Sequence, residues 1–324
     1  MKAVLCVRYG GPEALEIRDI PEPVAGKGEV VVKIAAAALN FFDTLIIQGK
    51  YQYKPDMPFS PASEFSGTVE SVGEGVTGFK PGDRVIGNIP TGAAREKIAV
   101  PARALISVPD GLELEKGAGL IVTYGTTIHA LKDRAKLKPG ETLAVLGASG
   151  GVGLAAVELG KVLGAKVIAC ASSPEKLAFA KQHGADELID YSKEDLKERL
   201  KTLTNGKGVD VIYDPVGGDF AEAALRSIAW EGRFLVIGFA AGEIPKIPLN
   251  PALAEGREIV GGFWGAFAQR NPEANRQHIS DIAKWTSEGK LSAHLDAKYK
   301  LDDAVEAFRA IAQRKVKGKI VLVP

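Results

Sequence analysis

The sequence has little cysteine and little histidine. Two cysteines, Cys6 and Cys170, and four histidines occur among its 324 residues, and each cysteine lies inside an apolar run. This count excludes a disulfide framework and a four-cysteine zinc lobe, and the histidines show no paired spacing of the kind that metal ligands have. Isolated thiols are typical of a reducing compartment, so we expect the protein in the cytoplasm.

An excess of one charge is also missing. The chain has 41 Lys and Arg residues against 40 Asp and Glu residues, a net charge of +1, and both signs are interleaved along residues 193–199. Nucleic-acid-binding proteins usually carry a basic excess or basic runs, so no nucleic-acid partner is predicted. No apolar run approaches the roughly 18 residues of a membrane span, and we expect neither a membrane segment nor a signal peptide.

The composition is that of a globular protein with more than one core. Hydrophobic residues make up 46% of the chain and charged residues 25%, and a chain of this length usually forms two domains. Through residue 122, short alternating segments separated by Gly and Pro turns predict a β-rich unit with little helix. From residue 123, apolar strands alternate with helical stretches, which predicts a parallel sheet wrapped by helices.

The second part of the chain reads as a doubly wound α/β fold. Its candidate strands cover residues 142–146, 166–171, 187–189, 209–214, 233–237 and 258–262. Candidate helices cover residues 153–163, 174–183, 193–202 and 220–228. Six strands joined by right-handed helical crossovers fit such a sheet. Two later helices are predicted at 271–287 and 301–313, and a final strand at 319–323 is predicted to return to the β-rich unit.

The segment GASGGVG, residues 147–153, lies directly between a predicted strand and a predicted helix. Residues without side chains let the backbone approach a pyrophosphate, and the start of the helix supplies free N–H groups and the positive end of its dipole. The last glycine allows the helix to pack closely on the strand. This context predicts a dinucleotide site.

A second interpretation of the same turn is a serine nucleophile. Residues 147–151 also satisfy the G-x-S-x-G pattern of hydrolases, with Asp214 and either His278 or His294 as nominal partners of Ser149. The glycines continue to residue 153, and the long β-rich unit ahead of the turn is not how a hydrolase sheet begins. Dinucleotide binding is therefore favoured.

The end of the second strand indicates which dinucleotide is bound. An NAD site usually has an acidic residue there to hold the ribose 2′-hydroxyl, and this chain has Ser172 and Ser173 instead. Both hydroxyls can donate hydrogen bonds to a 2′-phosphate, and Lys176 can supply charge. NADPH is therefore the predicted cofactor, and Tyr191, just after the third strand, is a candidate to pack on its adenosine.

At this point the sequence resembles the medium-chain dehydrogenase/reductase superfamily, and within it the zinc-free NADPH:quinone oxidoreductases. The resemblance covers nearly the whole chain. It rests on the glycine-rich turn, on DPVGG at 214–218, on GEGV at 73–76 with PGDRV at 81–85, and on NFFD at 40–43 followed by QGKY at 48–51. It implies a GroES-like β-barrel catalytic domain from residues 1–122 and 267–324, and a Rossmann cofactor domain from residues 123–266.

The resemblance also implies an enzyme without a catalytic metal. Zinc-dependent members of the superfamily place Cys, His and Cys ligands where this chain has Asn40, Ser63 and Val122. None of these three side chains replaces the soft ligand set that a catalytic zinc needs. In this family, dimers often form by pairing of the last Rossmann strand, here roughly residues 258–262, so a homodimer is expected.

Candidate cofactor-binding residues follow from the same resemblance, position by position. They are Thr126, Ser149, Gly150, Gly151, Val152, Ser172, Lys176, Tyr191, Val216, Gly238, Phe239, Phe263 and Trp264. Plain core packing is an equally good interpretation of Phe239, Phe263 and Trp264, because apolar residues at strand ends are usually buried.

Hydride transfer without a metal needs an acceptor that is already polarised by conjugation, together with hydrogen bonds from the protein. Quinones and α,β-unsaturated carbonyls suit this scheme. The resemblance places Asn40, Asp43 and Tyr51 near the nicotinamide, with Tyr51 as a candidate donor to the oxygen on which charge develops. The same stretch resembles trans-2-enoyl-thioester reductases, which stay an alternative, as does a non-catalytic NADPH-binding structural role.

Overall fold

The computed structural model describes residues 1–324 and divides into two compact units. The β-rich unit comprises Met1–Val122, Ile279–Gly289 and Ala293–Pro324, and the parallel-sheet unit comprises Thr123–His278 and Lys290–Ser292. None of the helices is both long and apolar enough to span a lipid bilayer.

The β-rich unit begins with strands and two short helices. Its strands up to residue 122 are β1 (Lys2–Cys6), β2 (Leu15–Asp19), β3 (Glu29–Leu39), β4 (Glu64–Val72), β5 (Arg84–Asn88), β6 (Lys97–Pro101) and β7 (Leu105–Ser107). The helices of this stretch are α1 (Phe41–Ile47) and α2 (Leu114–Ala118). Sequence periodicity predicted β3 to β6 within a few residues but did not predict α1, whose seven residues are too few to show a helical pattern.

Strand β3 is the central strand of the β-rich unit. It pairs antiparallel with β4 along one edge, while β6 occupies the first part of its other edge. A β-bulge between Ile34 and Ala36 shifts which side chains face each side. Val32 and Ile34 before the bulge and Ala37 after it therefore enter the same main core, while Ala36 packs in a smaller cluster.

The parallel-sheet unit alternates helices and strands. Its helices are α3 (Leu120–Ile128, which starts before the boundary), α4 (Gly151–Val162), α5 (Pro174–Gln182), α6 (Leu196–Leu203), α7 (Phe220–Leu225), α8 (Asn250–Glu255) and α9 (Trp264–Arg270). Its strands are β8 (Thr142–Leu146), β9 (Lys166–Ala171), β10 (Glu187–Asp190), β11 (Val209–Asp214), β12 (Ile228–Val236) and β13 (Glu258–Gly261). The six strands coincide closely with those predicted, although β12 starts five residues earlier.

The six strands form one parallel sheet in the order β10-β9-β8-β11-β12-β13. In order of sequence this is 3-2-1-4-5-6, the order of the doubly wound dinucleotide-binding fold. Helix α4 packs tightly on the sheet because a Cβ at Gly160 would lie 2.8 Å from Leu143 Cδ2 and 2.9 Å from Val167 Cγ2. The order of the strands reverses between β8 and β11, and ligands of such sheets bind at that point.

The last part of the chain completes the β-rich unit. It contains α10 (Pro272–Ser287), β14 (Leu295–Lys300), α11 (Ala304–Ala312) and β15 (Lys319–Val323). Strand β15 lies between β14, which is parallel to it, and the second half of β3, which is antiparallel. The prediction that the final strand returns to the β-rich unit is correct, whereas β14 was not predicted.

The boundary of the parallel-sheet unit lies beyond the predicted residue 266. The unit extends to His278 because residues after α9 remain bound to it. The ring of Phe267 stacks on His129 with centroids 4.0 Å apart, and Trp264 Nε1 donates a hydrogen bond to Asn275 Oδ1 at 2.8 Å. Neither contact could be predicted from the sequence, because periodicity and propensity do not indicate which side chains of different elements meet.

A buried carboxylate in α4 explains why Lys290–Ser292 also belongs to this unit. Glu158 accepts a hydrogen bond from the Tyr124 hydroxyl at 2.7 Å and another from the Ser292 backbone N–H at 3.1 Å. The Nδ1 atom of His183 lies 2.8 Å from its other oxygen. The network satisfies a charge that would otherwise be costly inside a helix face.

Candidate functional site

The glycine-rich turn after β8 has no room for side chains at its critical positions. Gly147 has a φ of +60°, and a Cβ there would lie 2.9 Å from Val216 Cγ2. A Cβ at Gly153 would lie 2.1 Å from the carbonyl oxygen of Gly147, closer than real atoms approach. The local sequence therefore dictates the sharp strand-to-helix turn that a dinucleotide site requires.

The N-terminus of α4 is formed by this turn. Gly150 is the N-cap in extended conformation, and the N–H of Leu154 bonds to its carbonyl at 2.7 Å. The amides of Gly151, Val152 and Gly153 precede that first helical hydrogen bond, so they have no carbonyl partner within the helix. Three N–H groups and the helix dipole converge there, which is the arrangement that binds a pyrophosphate.

The loop after β11 lies beside this turn at the reversal point of the sheet. The buried Asp214 carboxylate accepts hydrogen bonds from the N–H groups of Val216 at 2.8 Å and Gly217 at 2.9 Å. Burial raises the pKa of this carboxyl against the opposing effect of these two hydrogen bonds. Because Val216 also touches Gly147, Asp214 fixes one wall of the turn.

Two further predicted residues reach the same loop. The Gly238 N–H lies 3.3 Å from the Asp214 carbonyl, and Phe239 Cδ1 lies 3.0 Å from the position of a Cβ on Gly217. Phe239 is 38% exposed, so its ring is not plain core. The structure thus brings Val216, Gly238 and Phe239 together around one loop, and their contact with the cofactor stays a prediction.

Thr126 lies on α3, next to a hydrogen-bonded threonine that sequence reasoning missed. The Thr127 hydroxyl donates to the Thr123 carbonyl at 2.8 Å and lies 2.8 Å from the Tyr213 hydroxyl. Burial raises the pKa of Tyr213 far above its ordinary value. The pair joins α3 to β11, which leaves the half-buried Thr126 side chain in a fixed position.

The predicted 2′-phosphate residues come together at the end of β9. Ser173 caps α5 by accepting a hydrogen bond from the Lys176 N–H at 3.3 Å, and Lys176 Nζ lies 3.4 Å from Ser172 Oγ. The Tyr191 N–H bonds to the Ala171 carbonyl at 3.1 Å, next to Ser172. Two hydroxyls, an ammonium group and a tyrosine thus lie together at the C-terminal end of β9.

Phe263 and Trp264 lie elsewhere. Phe263 follows β13, two strands away from β11, and its side chain is 62% exposed. Trp264 starts α9, and its indole N–H is bound to Asn275 as described above. Cofactor contact by these two residues stays a prediction.

The acid of the serine hydrolase interpretation is engaged within its own loop. The Asp214 carboxylate is bound to two backbone amides. His278 Nε2 lies 3.6 Å from Asp133, and its ring lies beside Phe267. Because Asp214 is committed to the amides of its own loop, the structure favours the dinucleotide interpretation of residues 147–151 over the hydrolase interpretation.

In the β-rich unit, Asn40 belongs to a buried ionic network. Lys319 Nζ donates to Asn40 Oδ1 at 2.7 Å, to Glu64 Oε1 at 2.8 Å and to the Leu39 carbonyl at 2.9 Å. Asn40 Nδ2 donates to Glu64 Oε1 at 2.9 Å. The orientation of the Asn40 amide is therefore fixed from both sides, and one of its N–H groups stays uncommitted.

Three residues at the zinc-ligand positions surround Glu64. Asn40 binds one of its oxygens, the Val122 N–H donates to the other at 2.8 Å, and Ser63 precedes it in the chain. The Ser63 hydroxyl is buried and makes no hydrogen bond. No group of three or more His, Cys, Asp or Glu side chains with the geometry of a metal site occurs.

Asp43 and Tyr51 lie close to this network. Asp43 Oδ2 accepts a hydrogen bond from the Asn40 N–H at 2.7 Å, whereas Oδ1 is buried and makes no hydrogen bond. Burial raises the pKa of Asp43 to about 7, although the Asn40 amide and Lys319 oppose this shift. Burial also raises the pKa of Tyr51, whose ring stacks on Phe42 at 5.6 Å.

Glu64 and Lys319 are the site residues that sequence reasoning missed. Glu64 is the first residue of β4 and Lys319 is the first residue of β15, and both are buried. Charged residues in isolated strands are normally assigned to the exposed face or the strand end. A pair of opposite charges in strands that both neighbour β3 was the available signal.

Comparison with known proteins identifies the family of the chain. Residues 26–110 match the alcohol dehydrogenase GroES-like domain, and residues 151–281 match the family described as zinc-binding dehydrogenase. A quinone oxidoreductase-like protein 2 homolog from Nematostella vectensis is 40% identical over 99% of this chain and 88% of its own length.

Two solved structures share the fold over almost the full chain. The Escherichia coli quinone oxidoreductase complexed with NADPH has a TM-score of 0.90 and 28% identity, with 100% of both chains covered. The enoyl reductase CurK has a TM-score of 0.89 and 25% identity, covering 99% of this chain and 98% of its own. Together with the GroES-like and Rossmann architecture, these similarities show that the chain belongs to the quinone oxidoreductase family of the medium-chain dehydrogenase/reductase superfamily of enzymes.

Proposed function

We propose that this protein is an NADPH-dependent, metal-independent reductase that transfers a hydride to quinones or other conjugated carbonyls. The observation that carries the proposal is the turn at 147–153, in which a Cβ at Gly153 would collide with the Gly147 carbonyl. Such a turn, at the reversal point of a parallel sheet, fits the pyrophosphate of a dinucleotide. The similarity to an NADPH-bound quinone oxidoreductase supports the same cofactor.

The residues at the end of β9 favour the phosphorylated dinucleotide. Ser172 and Lys176 are within 3.4 Å of each other, and both groups can donate to a 2′-phosphate. Ser149, Gly150, Gly151 and Val152 would hold the pyrophosphate, while Thr126, Val216, Gly238 and Phe239 would line the nicotinamide half. NADPH supplies the hydride when it is bound.

The β-rich unit would supply the polar groups for the acceptor. Tyr51 offers a phenolic O–H whose pKa is raised by burial, so it stays protonated at neutral pH and can donate. Asn40 offers the N–H that the network of Glu64 and Lys319 leaves uncommitted. A hydrogen bond to the acceptor oxygen stabilises the negative charge that develops as the hydride arrives.

A second candidate is reduction of trans-2-enoyl thioesters. The stretch 47–51 that ends in Tyr51 resembles those enzymes, and the fold is shared with the enoyl reductase CurK. Residues 41 and 42 are Phe-Phe where those reductases have Pro-Ser, which weakens the match. Quinone reduction is therefore the first proposal and enoyl reduction the second.

A homodimer in the cytoplasm completes the proposal. Strand β13 is the edge of the six-stranded sheet, and an open edge is a template for pairing with another chain. Seven of the twelve exposed large hydrophobic side chains lie between Trp230 and Phe263, the region that contains this edge. Such a concentration favours an interface between copies of this chain. Two free buried thiols, Cys6 and Cys170, fit a reducing compartment.

The test is an NADPH-oxidation screen across 1,4-benzoquinone, 9,10-phenanthrenequinone, a cyclic enone and crotonyl-CoA, each with and without EDTA. We expect turnover of the quinones, little loss with EDTA and no stoichiometric zinc by elemental analysis. Faster turnover of crotonyl-CoA than of any quinone would favour the enoyl reductase. Loss of turnover on chelation, or no oxidation of NADPH with any acceptor, would overturn the proposal.

A further inference from the structure

Arg95 lies on a segment that borders the buried network of the β-rich unit. The preceding residues Ala93 and Ala94 donate backbone hydrogen bonds at 3.0 Å to the carbonyls of Ala62 and Pro61. The facing segment leads directly through Ser63 into Glu64, the carboxylate that binds Asn40. Arg95 therefore directly follows residues that pair with the segment leading into Glu64, and its own backbone forms a bridge to Ala3.

The guanidinium of Arg95 has no partner in the protein. Its Nε is buried and makes no hydrogen bond, and no carboxylate forms an ion pair with it. Its Nη2 folds back to 3.9 Å from the position that a Cβ on Gly92 would take. Burial lowers the pKa of this guanidinium, and no charged neighbour contributes to the shift.

Arg257 Nε is likewise buried without a hydrogen bond, whereas Arg233, which is also partly buried, is paired. Arg233 makes a two-point contact with Glu141, with Nη2 to Oε2 at 2.6 Å and Nη1 to Oε1 at 3.1 Å. The carboxylate adjacent to Arg95, Glu96, instead accepts a hydrogen bond from the Lys2 N–H at 2.7 Å. A cation that is taken out of water without a counter-charge lowers stability. Arg95 is only partly buried, so this cost applies to its buried Nε, which no group of the fold satisfies.

The shape of a guanidinium determines which ligands can pair with it. Its planar set of N–H donors matches the two oxygens of a carboxylate, sulfonate or phosphate, and such charge-assisted pairs are stronger than neutral hydrogen bonds. Ser63, on the facing segment, holds a second buried polar group without a partner, its hydroxyl. Arg95 and Ser63 thus each hold a polar group that the fold leaves without a hydrogen bond.

We propose that Arg95 binds an anionic group on the substrate, so that the preferred acceptors are quinones or conjugated carbonyls that carry a carboxylate, sulfonate or phosphate. The proposal rests on the reductase function proposed above and narrows its substrate class. It also assigns Arg95 as a specificity-determining residue, because an uncharged acceptor gains nothing from the guanidinium.

A matched pair of acceptors tests this assignment in the full-length enzyme. In Arg95→Met, we expect the KM for 9,10-phenanthrenequinone-2-carboxylate to rise about 10- to 100-fold, as for loss of a hydrogen bond between charged groups. The KM for uncharged 9,10-phenanthrenequinone should stay within twofold. For the carboxylated quinone, the KM of Arg95→Lys should lie between those of the parent and Arg95→Met, because an ammonium keeps the charge but does not form the two-point contact.

Lys97→Met is the matched control. Lys97 lies two residues from Arg95, and its positive charge is already paired with Glu22 and Glu70. This variant should leave both KM values unchanged. Arg95→Met should also unfold at the same or a higher temperature than the parent, because an unpaired charge is removed. Equal changes in the two KM values, or no change in either, would overturn the proposal.

A binding measurement separates this proposal from the reductase function. Calorimetric titration with anthraquinone-2-sulfonate, compared with uncharged 2-(hydroxymethyl)anthraquinone, needs no turnover. We expect the sulfonate to bind more tightly to the parent and to lose this advantage in Arg95→Met. If the parent reduces neither quinone but shows this difference, the reductase proposal fails and the anion site stands. If the variant binds the sulfonate as the parent does, the anion site is refuted.

Discussion

Tyr51 is the side chain on which the proposed chemistry depends. Its ring stacks on Phe42, so Tyr51→Phe keeps the packing and removes only the hydroxyl. If that hydroxyl stabilises the acceptor oxygen in the transition state, kcat should fall about a hundredfold, roughly 3 kcal/mol, with a smaller change in KM. Steady-state kinetics with an enone and with phenanthrenequinone measure this, and the loss should be larger for the enone because it also needs a proton on carbon.

Tyr53→Phe is the matched control for that measurement. Tyr53 lies two residues further along and is 43% exposed, so the loss of its hydroxyl should leave kcat unchanged. Equal kcat values for Tyr51→Phe and the parent on every acceptor would reduce Tyr51 to a packing residue. Catalysis would then depend on the proximity of cofactor and acceptor alone.

Ser172 should determine the choice between the two nicotinamide cofactors. In Ser172→Asp, a carboxylate would repel a 2′-phosphate and accept a hydrogen bond from a free 2′-hydroxyl. The ratio of kcat/KM for NADPH over NADH should therefore fall at least about tenfold, and below one if Lys176 no longer compensates. Ala178→Asp adds the same charge at an exposed position of α5 and should leave the ratio unchanged. A parent enzyme that uses both cofactors equally would contradict the assignment.

Asp43 should make the stability of the protein depend on pH. Its pKa is raised to about 7 in the folded chain, from an ordinary value of 3.8, because it is buried. Between about pH 4 and pH 7 the folded state holds a proton that the unfolded chain has released, so stability falls as pH rises through this window. Across this window the free energy of unfolding should fall by a total on the order of 4 kcal/mol.

Asp43→Asn should therefore flatten the pH dependence and raise the unfolding temperature at pH 8. The asparagine oxygen can still accept the Asn40 N–H, as the protonated acid does. Calorimetry between pH 4 and pH 8 measures both effects. Asp56→Asn, which changes an exposed carboxyl in the same region, should follow the parent curve. A variant with the slope of the parent would show that Asp43 is ionised across the range.

At the scale of elements, β15 and β4 are joined by the ion pair of Lys319 and Glu64. Lys319→Met leaves a buried carboxylate unpaired and Glu64→Gln leaves a buried ammonium, so each change should cost about 3–5 kcal/mol. The double variant has no unpaired charge, and its loss should be far smaller than the sum of the two. Thermal unfolding of the four proteins measures the coupling, and strictly additive losses would show that the two charges do not interact.

The sequence predicted elements well where the signal is local. The strand β8 and its glycine turn were visible because Gly147 and Gly153 interrupt an apolar strand and open a helix within seven residues. Asn40 and Asp43 became candidates through a resemblance that covers adjacent positions, and their role in catalysis stays a prediction. Glu64, Lys319 and Arg95 were not found, because their roles come from pairing between distant strands or from the lack of a partner. Such relations have no trace in periodicity or propensity.

At the scale of the whole molecule, the exposed edge of the parallel sheet should determine the oligomeric state. Ile259 in β13 is 43% exposed, and a lysine on an edge strand discourages pairing with another edge. We expect the parent to have the mass of a dimer by light scattering and Ile259→Lys that of a monomer. Val24→Lys, a change at an 86% exposed site of the β-rich unit, should stay dimeric. A monomeric parent would contradict the proposed homodimer.

The position of β15 between β14 and β3 has a consequence for synthesis on the ribosome. The parallel sheet needs only residues 142–261, a continuous stretch that can fold once it has emerged. Strand β3 of the β-rich sheet precedes the parallel sheet in the chain, yet its neighbour β15, which carries Lys319, follows that sheet. Glu64 therefore has no counter-ion until Lys319 has been synthesised. The β-rich unit should therefore complete its folding after the parallel-sheet unit, although its synthesis begins first.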